Sequence, residues 1–514
     1  MERLAKIKSV VSIGLEPQLV EVEVGVGAGI PSLIIVGLPG KAVEEAKERV
    51  RLALKNSGFD FPQKKIVVNL APADVKKEGP VYDLPIAVGI LTAGGLVKPQ
   101  QIAEIIFLGE LSLSGQIRAA KGTIQAAILA AKLHHSLIVP SANQKEANLI
   151  SGLEIFTPDN LKELFTKLVG SAKSPFVKTT GAKSHLPTDF GELDLAYISG
   201  QAQAKRALEI AAAGGHNILL DGPPGGGKTM LAKSIVSILP PLEEEEVLEV
   251  TKIYSVAGLL TEDEPVITRR PFRSPHHTTS AVAMIGGGAY PKPGEVSLSH
   301  TGILFLDEFP EFPRSVLEAL RQPLEDKVVT VSRAQGTLHF PADFTLVAAK
   351  NPCPCGFLGD EKRECTCSGS QISSYHRRLS GPLLDRIDLN ITVGKMPFAK
   401  MREQKGEETS KEVRQRVIRA RALQLSRAQK ITKKRRTNSR LSKKELETIA
   451  PLEGSCRRLL EDAVDKLDLS MRSYLKVIKV ARTIADLEGA EKISPSHLAE
   501  ALQYRTKGER AYGV

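Results

Sequence analysis

The sequence is short of cysteine, of aromatic side chains and of long apolar runs. No stretch of eighteen or more apolar residues occurs in the 514, so no membrane-spanning helix is expected. The opening "MERLAKIKSV" has neither a long apolar segment nor a small-residue cleavage site, and no secretion signal is read there. Aromatic residues amount to 4%, and none lies near the most basic run, "KKRR" at 433–436, which argues against a base-stacking platform at that place. Cysteines number five, and four of them fall in "NPCPCGFLGDEKRECTC", residues 351–367. Two CxC pairs in an otherwise thiol-poor chain suit a metal site in a reducing compartment rather than a disulfide framework. The expected location is the cytoplasm.

What is present is ordinary globular material, 42% hydrophobic and 25% charged, in a chain long enough for about two to four domains. The net charge of +11 permits a polyanionic partner without requiring one. Residues 19–26, "LVEVEVGV", alternate as a half-buried strand. An amphipathic helix ending at Gly58 and two further helical patterns complete a domain over 1–168. Residues 169–190, rich in Gly, Ser, Thr, Pro and Lys without periodicity, read as a linker. Strands and helices then alternate over 191–395, an α/β pattern. A charged, basic helical connector covers 396–440, and an all-helical segment 441–514.

The 217–239 segment, "NILLDGPPGGGKTMLAKSIVSIL", is a buried strand, a glycine-rich loop and a helix. Gly222, Pro223, Pro224, Gly225, Gly226, Gly227, Lys228 and Thr229 fill G-x-x-x-x-G-K-T completely. In such a loop, backbone N–H groups curl around phosphate oxygens at a helix N-terminus. Lys228 reaches the β- and γ-phosphates, and Thr229 ligates Mg²⁺. A second Gly-Lys, in "GLPGKA" at 37–42, has Ile35 where the first glycine belongs and Ala42 where the hydroxyl belongs; it reads as a turn opening a helix. "GILFLDE" at 302–308 supplies the partner motif, four apolar strand residues followed by two acids. Asp307 is assigned to the Mg²⁺ shell and Glu308 to the attacking water. The cofactors expected are therefore ATP and Mg²⁺.

Around these motifs, "RPFRSPHHTTSAVAMIGGG", "RRLSGPLLDRIDL" and "SMRSYLKVIKVARTIADL" resemble segments of the YifB/ComM family of magnesium-chelatase-like AAA+ ATPases. The resemblance runs over essentially the whole chain. It implies an α/β AAA+ P-loop core with a C-terminal helical lid, preceded by a Lon-protease-like α+β domain. By the same resemblance, Asn351 is a polar sensor, Arg386 an arginine finger offered to a neighbouring subunit, and Arg472 a second sensor on the lid. The hairpin "KVVTVSRAQGTLHF", with Arg333 near its tip, is similar to a pore loop that grips DNA, although an ordinary hairpin tip fits it as well. For Lys433, Lys434, Arg435 and Arg436, a solvated helix end is as good a reading as a phosphate contact. In the Lon-like domain, Val81 follows Gly79-Pro80 where that family has a nucleophilic serine, and Ile124 stands at the lysine position with Lys121 nearby. Without a nucleophile amide hydrolysis has no first step, so no peptidase is expected, and neither Ser112 nor Ser114 lies in a matching motif.

The four thiols Cys353, Cys355, Cys365 and Cys367 suit a closed structural Zn²⁺ site. The CxC spacing is tighter than the usual knuckle; an iron–sulfur cluster, redox pairing and unliganded thiols are the other readings. His276 and His277 are adjacent, and neighbours on a strand point apart, so no shared ion is expected. Cys456 is expected to be a buried helical residue. The resemblance implies a hexameric Mg²⁺-dependent motor on branched or single-stranded DNA, working as a helicase in branch migration during recombination or natural transformation. The alternative is the motor subunit of a magnesium-chelatase-type complex.

Overall fold

The computed structural model describes residues 3–170, 174–181, 194–261, 263–288, 291–333, 336–360, 363–395, 407–432, 437–467 and 469–505. They divide into two compact units. The first holds the chain up to 181 together with Glu243–Thr268 and 336–339, and the second holds the remainder.

The first unit is built on an eight-stranded mixed sheet. Its strand order is Val177–Lys178, Glu154–Phe156, Ser136–Ile138, Ile105–Phe107, Arg3–Ile13, Glu16–Gly27, Lys65–Ala71 and Ser32–Val36. The alternation at 19–26 is realised in the strand Glu16–Gly27, where Val20, Val22 and Val24 are buried. That strand pairs antiparallel with Arg3–Ile13, register Arg3↔Val26 to Ile13↔Glu16, through a turn in which Gly14 has φ +61°. The helix Asp83–Ala93 is buried along its whole length against these two strands. It lies so close that a Cβ on Gly89 would stand 2.4 Å from Val24 Cγ2. Gly40 caps the helix Lys41–Glu44, so the second Gly-Lys does open a helix. One sequence reading changes: Val177–Lys178, inside the segment taken as a linker, pairs antiparallel with Glu154–Phe156 as the edge strand. The Thr179 hydroxyl fastens it by accepting the Leu153 N–H at 2.9 Å.

The second unit carries a five-stranded sheet, order Phe272–Arg273, Ile303–Leu306, Thr345–Lys350, Ile218–Asp221 and Leu389–Thr392, with every pairing parallel. The central strands read as continuous apolar runs because both faces are covered. The phosphate-loop strand Ile218–Asp221 lies between Thr345–Lys350 and Leu389–Thr392, in register Asp221↔Lys350 and Asp221↔Thr392. Helices Ser410–Thr432, Lys443–Ile449, Gly454–Leu467, Met471–Leu487 and Pro495–Gln503 follow. Cys456 is buried on one of them, its thiol donating to the Ile493 carbonyl at 3.3 Å. No helix among the described residues is long and apolar enough to cross a membrane.

Candidate functional site

The strand Ile218–Asp221 ends at the glycine-rich loop, and the helix Lys228–Ile238 begins where the loop stops. Gly225 (φ +78°) and Gly227 (φ +84°) take the left-handed conformation that turns successive N–H groups inward. A Cβ on Gly222 would lie 2.1 Å from the Val393 carbonyl oxygen, so only glycine fits beside the neighbouring strand's exit. The Lys228 ammonium turns back into the loop. It donates to the carbonyl oxygens of Gly222 and Pro223, the latter at 3.0 Å, and to Asn351 Oδ1 at 3.0 Å. Burial pushes its pKa below the ordinary lysine value, with Asp307 and Asp221 pulling the other way.

Thr229 Oγ1 donates to Asp307 Oδ2 at 2.8 Å, joining two motifs 78 positions apart in the chain. A hydroxyl and a carboxylate converging at the carboxyl ends of two parallel strands are the hard oxygen donors that Mg²⁺ takes. Glu308 follows in the left-handed region (φ +52°), a conformation that costs a non-glycine residue energy and concentrates at functional sites. Its Oε2 is 3.0 Å from His277 Nδ1. The histidine pair therefore departs from the expectation that neighbouring side chains point apart. The strand ends at Arg273, and the His276 and His277 rings, beyond it, lie with centroids 4.1 Å apart. Asn351 ends the run from Thr345–Lys350, and the preceding Lys350 pairs with Asp221 at 2.9 Å.

The two arginines do not join this group. Asn217, which enters the phosphate-loop strand, donates from Nδ2 to the Arg386 carbonyl at 2.8 Å, so Arg386 sits at the opposite end of the sheet. Four residues of strand at about 3.3 Å each put about 13 Å between that end and the loop. Arg472 lies at the same end: its helix neighbour Lys476 donates to the Ile387 carbonyl at 2.7 Å. Both guanidinium groups pair with Glu325, Arg472 at 3.7 Å.

Beyond Asn351, the Sγ atoms of Cys353, Cys355, Cys365 and Cys367 all lie within 4.8 Å of one another. The separations Cys353–Cys355, Cys353–Cys365 and Cys355–Cys365 are 3.4, 3.6 and 3.6 Å. These separations are far from a disulfide and close to the edge of a ZnS₄ tetrahedron, about 3.8 Å for Zn–S bonds of about 2.3 Å. The donor set fits zinc. Of the residues assigned to DNA, Lys433, Lys434, Arg435 and Arg436 lie outside the described residues, as does the side chain of Arg333 at the end of the strand Val328–Arg333.

Sequence reasoning did not find the partnership of His277 with Glu308, nor Glu325 or Lys350. The "PHH" triplet was visible but read only for metal, and a lone glutamate in "RQPLED" carries no local signal.

Three family models match the chain: magnesium chelatase, subunit ChlI, over 194–401; subunit ChlI of Mg-chelatase over 22–143; and the magnesium chelatase subunit ChlI C-terminal model over 407–505. The chain is 45% identical to the competence protein ComM of Haemophilus influenzae, over 98% of this chain and 97% of that one. It is 44% identical to the protein YifB of Salmonella typhimurium over equal shares. The chain belongs to the YifB/ComM family. The parallel sheet, phosphate loop and C-terminal helices of this YifB/ComM protein fit a magnesium-chelatase-like AAA+ fold with an ATPase role; the name of the Haemophilus relative ties that protein to competence. A shorter similarity, 31% identity over 100 residues or 20% of the chain, links it to the archaeal Lon protease of Methanocaldococcus jannaschii.

Proposed function

We propose that this YifB/ComM protein is a Mg²⁺-dependent ATPase that works as a ring, most simply a hexamer, and moves branched or single-stranded DNA by branch migration during recombination or natural transformation. The observation that carries the reading is the separation of the two halves of the site. Lys228, Thr229, Asp307, Glu308 and Asn351 gather at one end of the sheet, whereas Arg386 and Arg472 stand at the other. A subunit built this way offers its arginines to the nucleotide of a neighbour, which couples hydrolysis to assembly. In that site Lys228 neutralises phosphate charge, Asn351 holds the water-side geometry, and Glu308 takes the proton from the attacking water. Thr229 and Asp307 would hold Mg²⁺, which when bound would supply neutralisation of phosphate charge.

The ComM relative's name supports the link to competence, and the net charge of +11 agrees with a polyanionic track. The first unit is read as a Lon-like scaffold or docking domain without peptidase chemistry. The half-buried Val81 and the buried Ile124 occupy the dyad positions of that reading, and the Ser112 and Ser114 hydroxyls, 2.9 Å apart, bond each other. The magnesium-chelatase names of the family models favour a metal-insertion motor as the second reading.

The deciding experiment is ATP-dependent branch migration on a synthetic three-strand junction, with wild type beside Lys228→Ala and Glu308→Gln and ATPase rates read with and without DNA. Movement by wild type alone, with DNA-stimulated hydrolysis, supports the DNA motor. Hydrolysis indifferent to DNA leaves the ATPase and turns the search to a porphyrin client.

A further inference from the structure

The cysteine loop touches the nucleotide site at several places. Gly356, in the left-handed region at φ +84°, lies directly under the phosphate loop: a Cβ there would meet Pro224 Cδ at 2.7 Å and Asn351 Cγ at 3.9 Å. Gly356 donates its N–H to the Cys353 carbonyl at 3.0 Å, and Cys353 itself is wholly buried. The second thiol pair leads straight into the helix Gly369–Arg377, capped by Ser368. On that helix Tyr375 is buried, with its phenol near the backbone of Asn351. A third tether runs from Asp360 to Lys395, just past Val393, whose carbonyl abuts Gly222 and Gly226. The loop thus bears on Asn351 from both of its ends, and Asn351 is the side chain that holds Lys228.

Four sulfurs within 4.8 Å of one another, three of them at 3.4–3.6 Å separations, stay together as thiolates only if a cation balances them, because like charges at that distance repel strongly. Binding an ion to ligands brought together by the loop is also what orders the loop.

We propose that Cys353, Cys355, Cys365 and Cys367 bind one thiophilic ion of the Zn²⁺ class, and that the closed knuckle braces Pro224 and Asn351 and so sets the affinity of the phosphate loop for nucleotide. This rests on the ATP reading of Lys228. The brace acts through position: it touches the residues that hold nucleotide and takes no part in bond making. It makes nucleotide affinity metal-dependent through an ion distinct from the Mg²⁺ of the substrate.

The test uses the full chain. Metal content is measured by elemental analysis, and binding of a fluorescent ATP analogue is titrated before and after stripping with a zinc-selective chelator under reducing conditions, then after adding Zn²⁺ back. One zinc per chain is expected. Stripping should weaken binding at least about tenfold, with recovery on Zn²⁺ addition. Gly356→Ala separates the brace from simple loss of folding. It leaves the four thiols intact and should keep its zinc and its melting temperature to within a few degrees, yet bind nucleotide about tenfold more weakly because the new Cβ displaces Pro224. Nucleotide affinity equal to wild type in the stripped chain or in zinc-loaded Gly356→Ala overturns the proposal. So does a purified chain with four free thiols that takes up no Zn²⁺. Lys228→Ala serves as the control: if it binds the analogue as tightly as wild type, the ATP reading fails instead.

Discussion

His277 Nδ1 stands 3.0 Å from Oε2 of Glu308, so the acid that follows the apolar strand is held by a side chain from outside either nucleotide motif. Glu308 is also in the left-handed region, and its own N–H donates to Asp307 Oδ1 at 3.0 Å. The carboxylate is therefore aimed by a backbone constraint and a side-chain partner together. Glu308→Gln should bind ATP normally and lose about 10²–10⁴-fold in kcat, the usual value of a general base. His277→Ala removes only the aim and should lower kcat about tenfold with KM unchanged, a split that steady-state kinetics at saturating Mg²⁺ reads directly.

The placement of Arg386 and Arg472 beside Glu325, at the far end of the sheet from Lys228, predicts complementation between defective subunits. Lys228→Ala and Arg386→Ala chains should each be inactive alone. Mixed in equal amounts, they should regain about a quarter of the wild-type ATPase, because one random interface in four pairs an intact loop with an intact arginine. Mixtures as inactive as their components would remove the shared site. The same mixing with Arg472→Ala in place of Arg386→Ala asks whether the second arginine serves the same neighbour.

Glu146 is buried with Asn143 Nδ2 donating to its Oε1 at 2.6 Å, and burial raises its carboxyl from 4.5 to about 7. Between those two values the folded chain holds a proton that the unfolded chain has lost, so stability is greatest below pH 4.5 and falls as pH rises to about 7. The loss is on the order of 3 kcal/mol. Glu146→Gln keeps an oxygen for Asn143 and carries no charge, so the melting temperature of the first unit should lose much of its decline between pH 5 and pH 8. An unchanged pH dependence would show that Glu146 is ionised without cost.

Gly89 tests how closely the buried helix Asp83–Ala93 lies on its sheet. A Cβ there meets Val24 Cγ2 at 2.4 Å and Ile7 Cγ1 at 3.3 Å. Gly89→Ala should destabilise the first unit by about 1–3 kcal/mol despite alanine's better helix propensity, an overpacking cost visible as a lower melting temperature. A stabilised variant would mean that helix and sheet separate easily.

The sequence by itself determined the nucleotide loop and its partner strand. Gly222 to Thr229 works through consecutive backbone groups, so its geometry is encoded in a single stretch, and four apolar residues before two acids mark a buried strand wherever it sits. The alternation at 19–26 and the thiol spacing at 353–367 were legible for the same reason: each is a local pattern with a local consequence. Tertiary structure alone decided the rest. Asn351 meets Lys228, and Thr229 meets Asp307, because parallel pairing carries the ends of three strands to one edge of the sheet. The strand Leu389–Thr392 runs in that same direction, which leaves Arg386, before its first residue, at the opposite edge. Glu325 and His277 found their partners through contacts that no spacing records. A motif is legible when its atoms are neighbours in the chain; these partners are neighbours only because strand direction and register bring them together.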